Sequence, residues 1–282
     1  MSAARQHDTH KKRTGSKKRK RLAITVIVTF LLSLGGFFAI QTYQSVAVAS
    51  ELQEISNYQA SSHLITEYNR IVPSEWDGKE RKVIYLTIDD GPSQFTEEIL
   101  DILHKENIDA TFFMLGNNMN RYPESVKRLV KEGHYPGLHS MTHGYKNLYK
   151  HGPQAFINEM KQAQAIVKKL TNVTPTIIRA PFGSHPQVTD NFRDAIVQAD
   201  LKMWDWTIDS YDWKLPNQPN KITETVKKGL KKPTEVVLLH EKPQTIVALP
   251  HIIKAAKDMG YEFEVYNPAE HASVNFWNDQ RL

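Results

Sequence analysis

Val83-Ile84-Tyr85-Leu86-Thr87-Ile88-Asp89-Asp90-Gly91-Pro92 is the stretch on which the fold turns. Its first six residues are apolar or β-branched and read as a buried strand. It then ends abruptly on two adjacent carboxylates, followed by a Gly-Pro pair that cannot continue a ladder. Two neighbouring carboxylates at a buried strand end are costly unless positive charge compensates them. Outward from this stretch the same alternation recurs. Strand-like runs are expected at residues 110–115, 134–138, 176–179, 201–207, 235–239 and 262–265. Helical spacing is expected at residues 96–105, 123–131, 154–170, 189–199, 222–230 and 245–259.

Strands alternating with helices imply a parallel sheet flanked by helices, an α/β fold. About seven such units suit a deformed, closed or nearly closed (β/α) barrel better than an open sheet, and a barrel of this kind places its site at the C-terminal ends of the strands. The catalytic domain is expected over residues 79–270, with a C-terminal tail at 271–282.

The 282 residues include no cysteine, which excludes disulfides and thiolate chemistry and leaves His, Asp and Glu as metal ligands. The net charge of +5 is uneven. Nine of the 36 Lys and Arg, and one of the 31 acids, precede residue 22, so the remainder carries 27 basic against 30 acidic residues. The basic character therefore belongs to a tail, and nucleic acid is not expected as a partner. Residues 22–40, LAITVIVTFLLSLGGFFAI, carry no charge and follow Lys17–Arg21 directly. A bilayer core needs about 20 apolar residues in a helix, and flanking positive charge stays inside. The expectation is a basic cytoplasmic tail at 1–21, a single transmembrane anchor at 22–40, a stalk or spacer at 41–78, and a catalytic domain outside the membrane. The alternative is secretion after signal-peptide cleavage, for which Val46-Ala47-Val48-Ala49-Ser50 resembles a small-residue site.

The chemically interesting side chains all fall where strands run out: Asp89 and Asp90, His139 and His143, Arg179, Asp209 and Asp212, and His240. His139 and His143 stand four residues apart and would face one way on a helical turn. One carboxylate of the first strand end would complete a three-ligand site with open positions. Arg179 is the fork-shaped partner that holds a carboxylate ionised. The run WDWTIDSYDW at 204–213 suits a carbohydrate groove, although its Trp residues also suit a core. His240 follows an apolar run and is the acid left outside the metal pair.

These residues resemble the polysaccharide deacetylases, the NodB-homology group of carbohydrate esterase family four. Thr87-Ile88-Asp89-Asp90-Gly91-Pro92, His139-Ser140-Met141-Thr142-His143, Arg179-Ala180-Pro181-Phe182, Asp209-Ser210-Tyr211-Asp212-Trp213 and Leu238-Leu239-His240 match its five motifs in family order. The resemblance implies one divalent metal, zinc first and cobalt, manganese or nickel as alternatives, held by Asp90, His139 and His143. It implies Asp89 as general base, His240 as general acid, and Arg179 orienting Asp89. Either Asp209 or Asp212 would tune His240. Pro181, Phe182, Trp213 and Leu238 would bind substrate. The chain departs from the pattern at Ile88 (usually Phe), Phe182 (commonly Tyr) and Glu241 (often Asp). None of these removes a ligand, base or acid.

The function this implies is hydrolytic removal of N-acetyl groups from cell-wall glycan, with peptidoglycan N-acetylglucosamine as substrate and no obligate protein partner. Chitin oligomers, xylan, a biofilm poly-N-acetylglucosamine and N-acetylmuramic acid are the enzymatic alternatives. A non-catalytic glycan-binding module and a structural wall anchor are the others.

Overall fold

The computed structural model describes residues 81–282 throughout, together with Thr42 in a helix and the short antiparallel strands β1 (Glu75–Trp76) and β2 (Lys79–Glu80). The span expected at 22–40, the basic tail before it and nearly all of the expected stalk lie outside the described residues. No described helix is long and apolar enough to cross a membrane.

The main sheet is wholly parallel and eight-stranded. Its strands are β3 (Val83–Asp89), β4 (Thr111–Met114), β5 (Tyr135–Leu138), β6 (Ile177–Ile178), β7 (Lys202–Met203), β8 (Ile208–Asp209), β9 (Thr234–His240) and β10 (Glu262–Phe263). They run in the order β7-β6-β5-β4-β3-β9-β8, and β10 pairs the first residues of β3. The helices between them are α1 (Thr96–Glu106), α2 (Gly116–Arg121), α3 (Pro123–Lys131), α4 (Tyr145–Tyr149), α5 (Pro153–Thr171), α6 (Asp190–Gln198), α7 (Pro219–Gly229) and α8 (Pro243–Asp258). Four of them begin at proline, whose missing N–H is no loss in a first turn. Asn107 and Asn172, both left-handed, end α1 and α5.

β3 lies at the centre because its residues are apolar on both faces. Ile84, Leu86 and Ile88 are buried with Val236, Val237 and Leu239 of β9 and Phe112 and Phe113 of β4. The register fixes the height of the polar residues. Asp89 pairs with His240 on one side and with Phe113 on the other. Leu138 pairs with Ile178, and Asp209 with Leu238. Asp89, His139, Arg179, Asp209 and His240 therefore share one rim.

Three expectations are corrected. The strand expected at 201–207 forms only over Lys202–Met203 (β7); the chain leaves the ladder after Trp204, and the next strand, β8, begins beyond the expected run at Ile208, beside β9. The buried Asp205 there binds neighbouring loops instead of lying in a strand. As a consequence the sheet is curled but open, with β7 and β8 at its edges and no ladder between them. The packing also does not stop at residue 270. Trp204 bridges Val274, its indole N–H donates to the Ala272 carbonyl at 2.7 Å, and the Leu282 side chain is buried.

Behind β4 sits His134, whose Nδ1 accepts the Ala110 N–H at 3.1 Å and whose ring meets Phe112 edge-on. Burial, helped by the nearby Arg128 and His104 charges, lowers its pKa to about 4. The neutral ring is thus the folded form. Its stabilisation is complete above the unfolded value near 6.5 and is lost as pH falls toward 4, on the order of 3 kcal/mol in all. Urea midpoints between pH 7 and pH 4 should fall less steeply for His134→Gln than for the natural chain. Parallel slopes would refute this.

Candidate active site

The site is built on the loop after β3. Asp89, the last residue of β3, is buried, and its Oδ1 accepts from Arg179 Nη1 at 2.9 Å. Arg179 is 0% exposed. It spends its remaining donors on Thr87 Oγ1 (2.6 Å), the Trp204 carbonyl (3.2 Å) and the Asp205 carbonyl (2.7 Å), and lies 4.1 Å from the Phe113 ring centroid. Burial opposes its charge, and Asp89 answers that charge.

The next residue, Asp90, has a φ of 71°, which turns its side chain away from the strand direction. Asn118 donates to its carbonyl at 2.8 Å and holds the turn. A Cβ at Gly91 would stand 2.0 Å from Glu241 Oε1, so any larger residue here would have to displace the Glu241 carboxylate. Asp90 Oδ1 lies 3.6 Å from both His139 Nε2 and His143 Nε2.

The helical turn expected to align the two histidines is not formed. His139 to His143 is a loop in which Ser140 (φ 74°) and His143 (φ 56°) are left-handed. Glu159 of α5 accepts the Met141 and Thr142 N–H groups at 3.1 Å each, and Ser140 Oγ accepts the His143 N–H at 3.0 Å. His139 Nδ1 pairs with the Arg179 carbonyl at 2.9 Å, which leaves Nε2 directed at the carboxylates.

These three residues fit a divalent metal. One ligand atom from each lies within 4.8 Å of the others. Asp90 Oδ1 is buried without a hydrogen-bond partner, a costly state unless a cation meets it. Burial raises the Asp90 pKa, but His139, His240, His143 and Lys242 together lower it, so the carboxylate stays ionised.

Across the rim, Asp212 rather than Asp209 engages His240. Asp212 Oδ1 is 2.7 Å from His240 Nδ1, while Oδ2 accepts the His240 N–H and Thr245 Oγ1, both at 2.6 Å. Asp209 Oδ1 instead caps the turn by accepting the Tyr211 N–H at 2.8 Å, and burial raises its pKa. Burial would lower the His240 pKa. The bond and charge of Asp212, with the charges of Asp89 and Asp90, outweigh it and raise the pKa.

The two clusters open on one cleft of about 500 Å³. Phe182, Trp213 and Leu238 line it as expected, and so does Asp209. Pro181 does not: it is buried, and its carbonyl accepts the Tyr149 hydroxyl at 2.8 Å. Trp206, from the run read as a carbohydrate groove, and Gly183 line the cleft too, as does Lys242, which had not been singled out. Of the Trp-rich run, Trp204 is core, Trp206 is half-buried and Trp213 is 54% exposed. Asp205 is the other residue that sequence reasoning missed. Its buried carboxylate accepts from Ser184 N (2.9 Å), Ser184 Oγ (2.6 Å) and Phe276 N (2.8 Å). No local pattern marks it, since two of its partners follow an arginine motif and the third is 71 residues away.

Known proteins resemble this chain in sequence and in structure. The family model described as polysaccharide deacetylase matches residues 77–204. A peptidoglycan-N-acetylglucosamine deacetylase of Bacillus cereus is 41% identical over 273 residues, which cover 93% of this chain and 99% of that protein. The crystal structure of a polysaccharide deacetylase from Bacillus cereus superposes with a TM-score of 0.70 at 43% identity, covering 72% of this chain and 100% of the other. The catalytic domain of a peptidoglycan N-acetylglucosamine deacetylase from Eubacterium rectale superposes at 0.65 with 30% identity, over 70% and 94% of the respective chains.

Proposed function

The chain belongs to the polysaccharide deacetylase family, and from that premise we propose that it removes the N-acetyl group from N-acetylglucosamine in peptidoglycan by metal-dependent hydrolysis. The observation that carries the reading is one cleft in which three side chains that could hold a metal stand between two oriented titratable groups, Asp89 on Arg179 and His240 on Asp212.

Asp90, His139 and His143 would hold the cation, zinc in our reading. A divalent cation there supplies Lewis acidity toward water and the acetamide carbonyl. Asp89 has one oxygen tied to Arg179, and its Oδ2, 3.7 Å from His139 Nε2, faces the cluster. It takes the proton of the attacking water. The Phe182 N–H would donate to the oxygen on which negative charge develops. Phe182 is left-handed, with φ 69°, and no partner within the described residues accepts its N–H. His240 keeps Nδ1 on Asp212 and so presents Nε2 to the departing amine, a poor leaving group unless protonated. Leu238 and Trp213 would enclose the acetyl methyl.

The acid role sets the sign of one pH effect. His240 must be protonated, and its pKa is raised, so activity is lost as pH rises through that value. Asp212→Asn removes the stabilising charge and should move the alkaline limb of kcat/KM down by about 1–2 units. An unmoved limb would dismiss His240 as the acid.

The deciding experiment is acetate release from purified peptidoglycan, with chitin oligomers, acetylxylan and an N-acetylmuramic acid glycan in parallel, after metal removal and after readdition of zinc. Zinc-dependent acetate from peptidoglycan supports the reading. Release from another polymer alone moves the substrate, and no release from any overturns the chemistry. We further read residues 22–40 as an uncleaved anchor that holds the domain outside the membrane beside its substrate. Full-length chain in the soluble fraction after lysis would count against it.

A further inference from the structure

Exposed large apolar side chains are rare in the described residues, and they gather at one place. Of six, Phe182 and Trp213 line the cleft, Tyr145 packs on Phe182 at 5.7 Å, and Tyr211 on Trp213 at 6.4 Å. The fifth, Phe276, comes from the C-terminal stretch that the sequence presents as a tail. Only Val247 stands apart from this group.

Phe276 is 42% exposed, yet its backbone is anchored. Its backbone N–H donates to the buried Asp205 carboxylate, whose oxygens also fix Ser184 beside the cleft residue Gly183. The turn around it is tied by Asn275, which accepts the Trp277 and Asp279 N–H groups and donates to the Asp279 carbonyl. The Phe276 ring meets Trp206 edge-on at 5.0 Å, and both rings stand within 3.3 Å of where a Gly183 Cβ would lie. Trp206 and Gly183 both line the cleft. A ring that is half in water, braced by a buried carboxylate and continuous with the cleft wall has no packing reason for its exposure. Its flat apolar face suits the apolar face of a pyranose, and its backbone brace means that little ordering is needed on binding.

We infer that Phe276, carried by the docked 271–282 segment, is a stacking platform for a sugar of the glycan chain outside the reacting N-acetylglucosamine, and so extends the binding track past the acetyl pocket. The inference rests on the glycan reading above and deepens it. Asp205 is the positioning residue of this platform.

The test compares the natural chain with Phe276→Ala and Phe276→Trp on N-acetylglucosamine oligomers of increasing length, zinc-loaded, reading acetate release and, by calorimetry, affinity. For Phe276→Ala the expected result is a KM and a Kd for the longer oligomers raised about 3–10-fold. On the same oligomers kcat should stay within about twofold, and the shortest oligomer turned over should barely change. Phe276→Trp, which keeps a flat ring, should retain natural values. Equal losses at every length, a fall in kcat on the shortest oligomer, or no change at any length would each overturn the platform. Length-selective loss of affinity in Phe276→Ala, with a natural chain that itself releases no acetate, would keep the platform and overturn the deacetylase reading instead.

Discussion

Asp89→Asn should lower kcat by about 10²–10⁴-fold while leaving the metal content of the protein unchanged. The substitution is nearly isosteric, and the amide oxygen can still accept from Arg179 Nη1. What is lost is a group able to take a proton at the position of Oδ2, 3.7 Å from His139 Nε2. Asp90, His139 and His143 are untouched, so a cation should still bind with one equivalent per chain by elemental analysis. This pairing of outcomes separates a base from a ligand. A variant that loses both metal and turnover would place Asp89 among the ligands, and one that keeps near-natural turnover with metal bound would remove it from the chemistry.

Arg179→Met should cost about 3–5 kcal/mol of stability, because it leaves a buried carboxylate without its counter-charge. Asp89 is the direct loser. The Trp204 and Asp205 carbonyls and Thr87 Oγ1 also lose a donor, although Thr87 still donates to the Val237 carbonyl at 2.6 Å. For a domain of roughly 200 residues that corresponds to a melting temperature lower by about 6–20 °C. Arg179→Lys keeps the charge but cannot serve all four acceptors in different directions, so an intermediate loss is expected. The double variant Asp89→Asn/Arg179→Met should lose less than the sum of the singles, since removal of the carboxylate's charge relieves the uncompensated burial. Additive losses, or a melting temperature for Arg179→Met within about 2 °C of the natural chain, would show that the pair does not hold the rim together.

Both predictions concern residues that could be picked out from the amino-acid order, and the reason is local. A β-branched run followed by Asp89-Asp90-Gly91-Pro92 announces a strand and its end within ten residues. The helices from Thr96 and from Pro123 are equally local, carried by apolar spacing and a first-turn proline. Elements were missed where the signal was shorter than a turn or two. The six-residue α2 and five-residue α4 hold too few apolar positions for a period to emerge. The strand expected at 201–207 is cut short after Met203, because Asp205 leaves the ladder for Ser184 and Phe276, distant in the chain. The paired histidines were read correctly as companions and wrongly as helical. Their convergence comes from two left-handed residues, Ser140 and His143, on either side of a turn whose Met141 and Thr142 N–H groups Glu159 accepts from another element.

What the sequence by itself determined is the order of the strands' polar ends, the residue types gathered there, and so the class of chemistry. Strand periodicity and turn chemistry act over a few neighbours and do not depend on the rest of the chain. What only the tertiary structure decided is which of those groups touch. Asp209 and Asp212 are equivalent acids in a linear motif. Tyr211, left-handed at φ 58°, reverses the chain between them and carries Asp212 beneath His240 while Asp209 stays at the cleft. Pro181 turns inward, Lys242 joins the cleft lining, and residues 271–282 return to brace the cleft wall. Each depends on side-chain direction and on contacts tens of residues apart. Those follow from sheet register and from where buried polar groups find partners, and neither is written in the local order of residues.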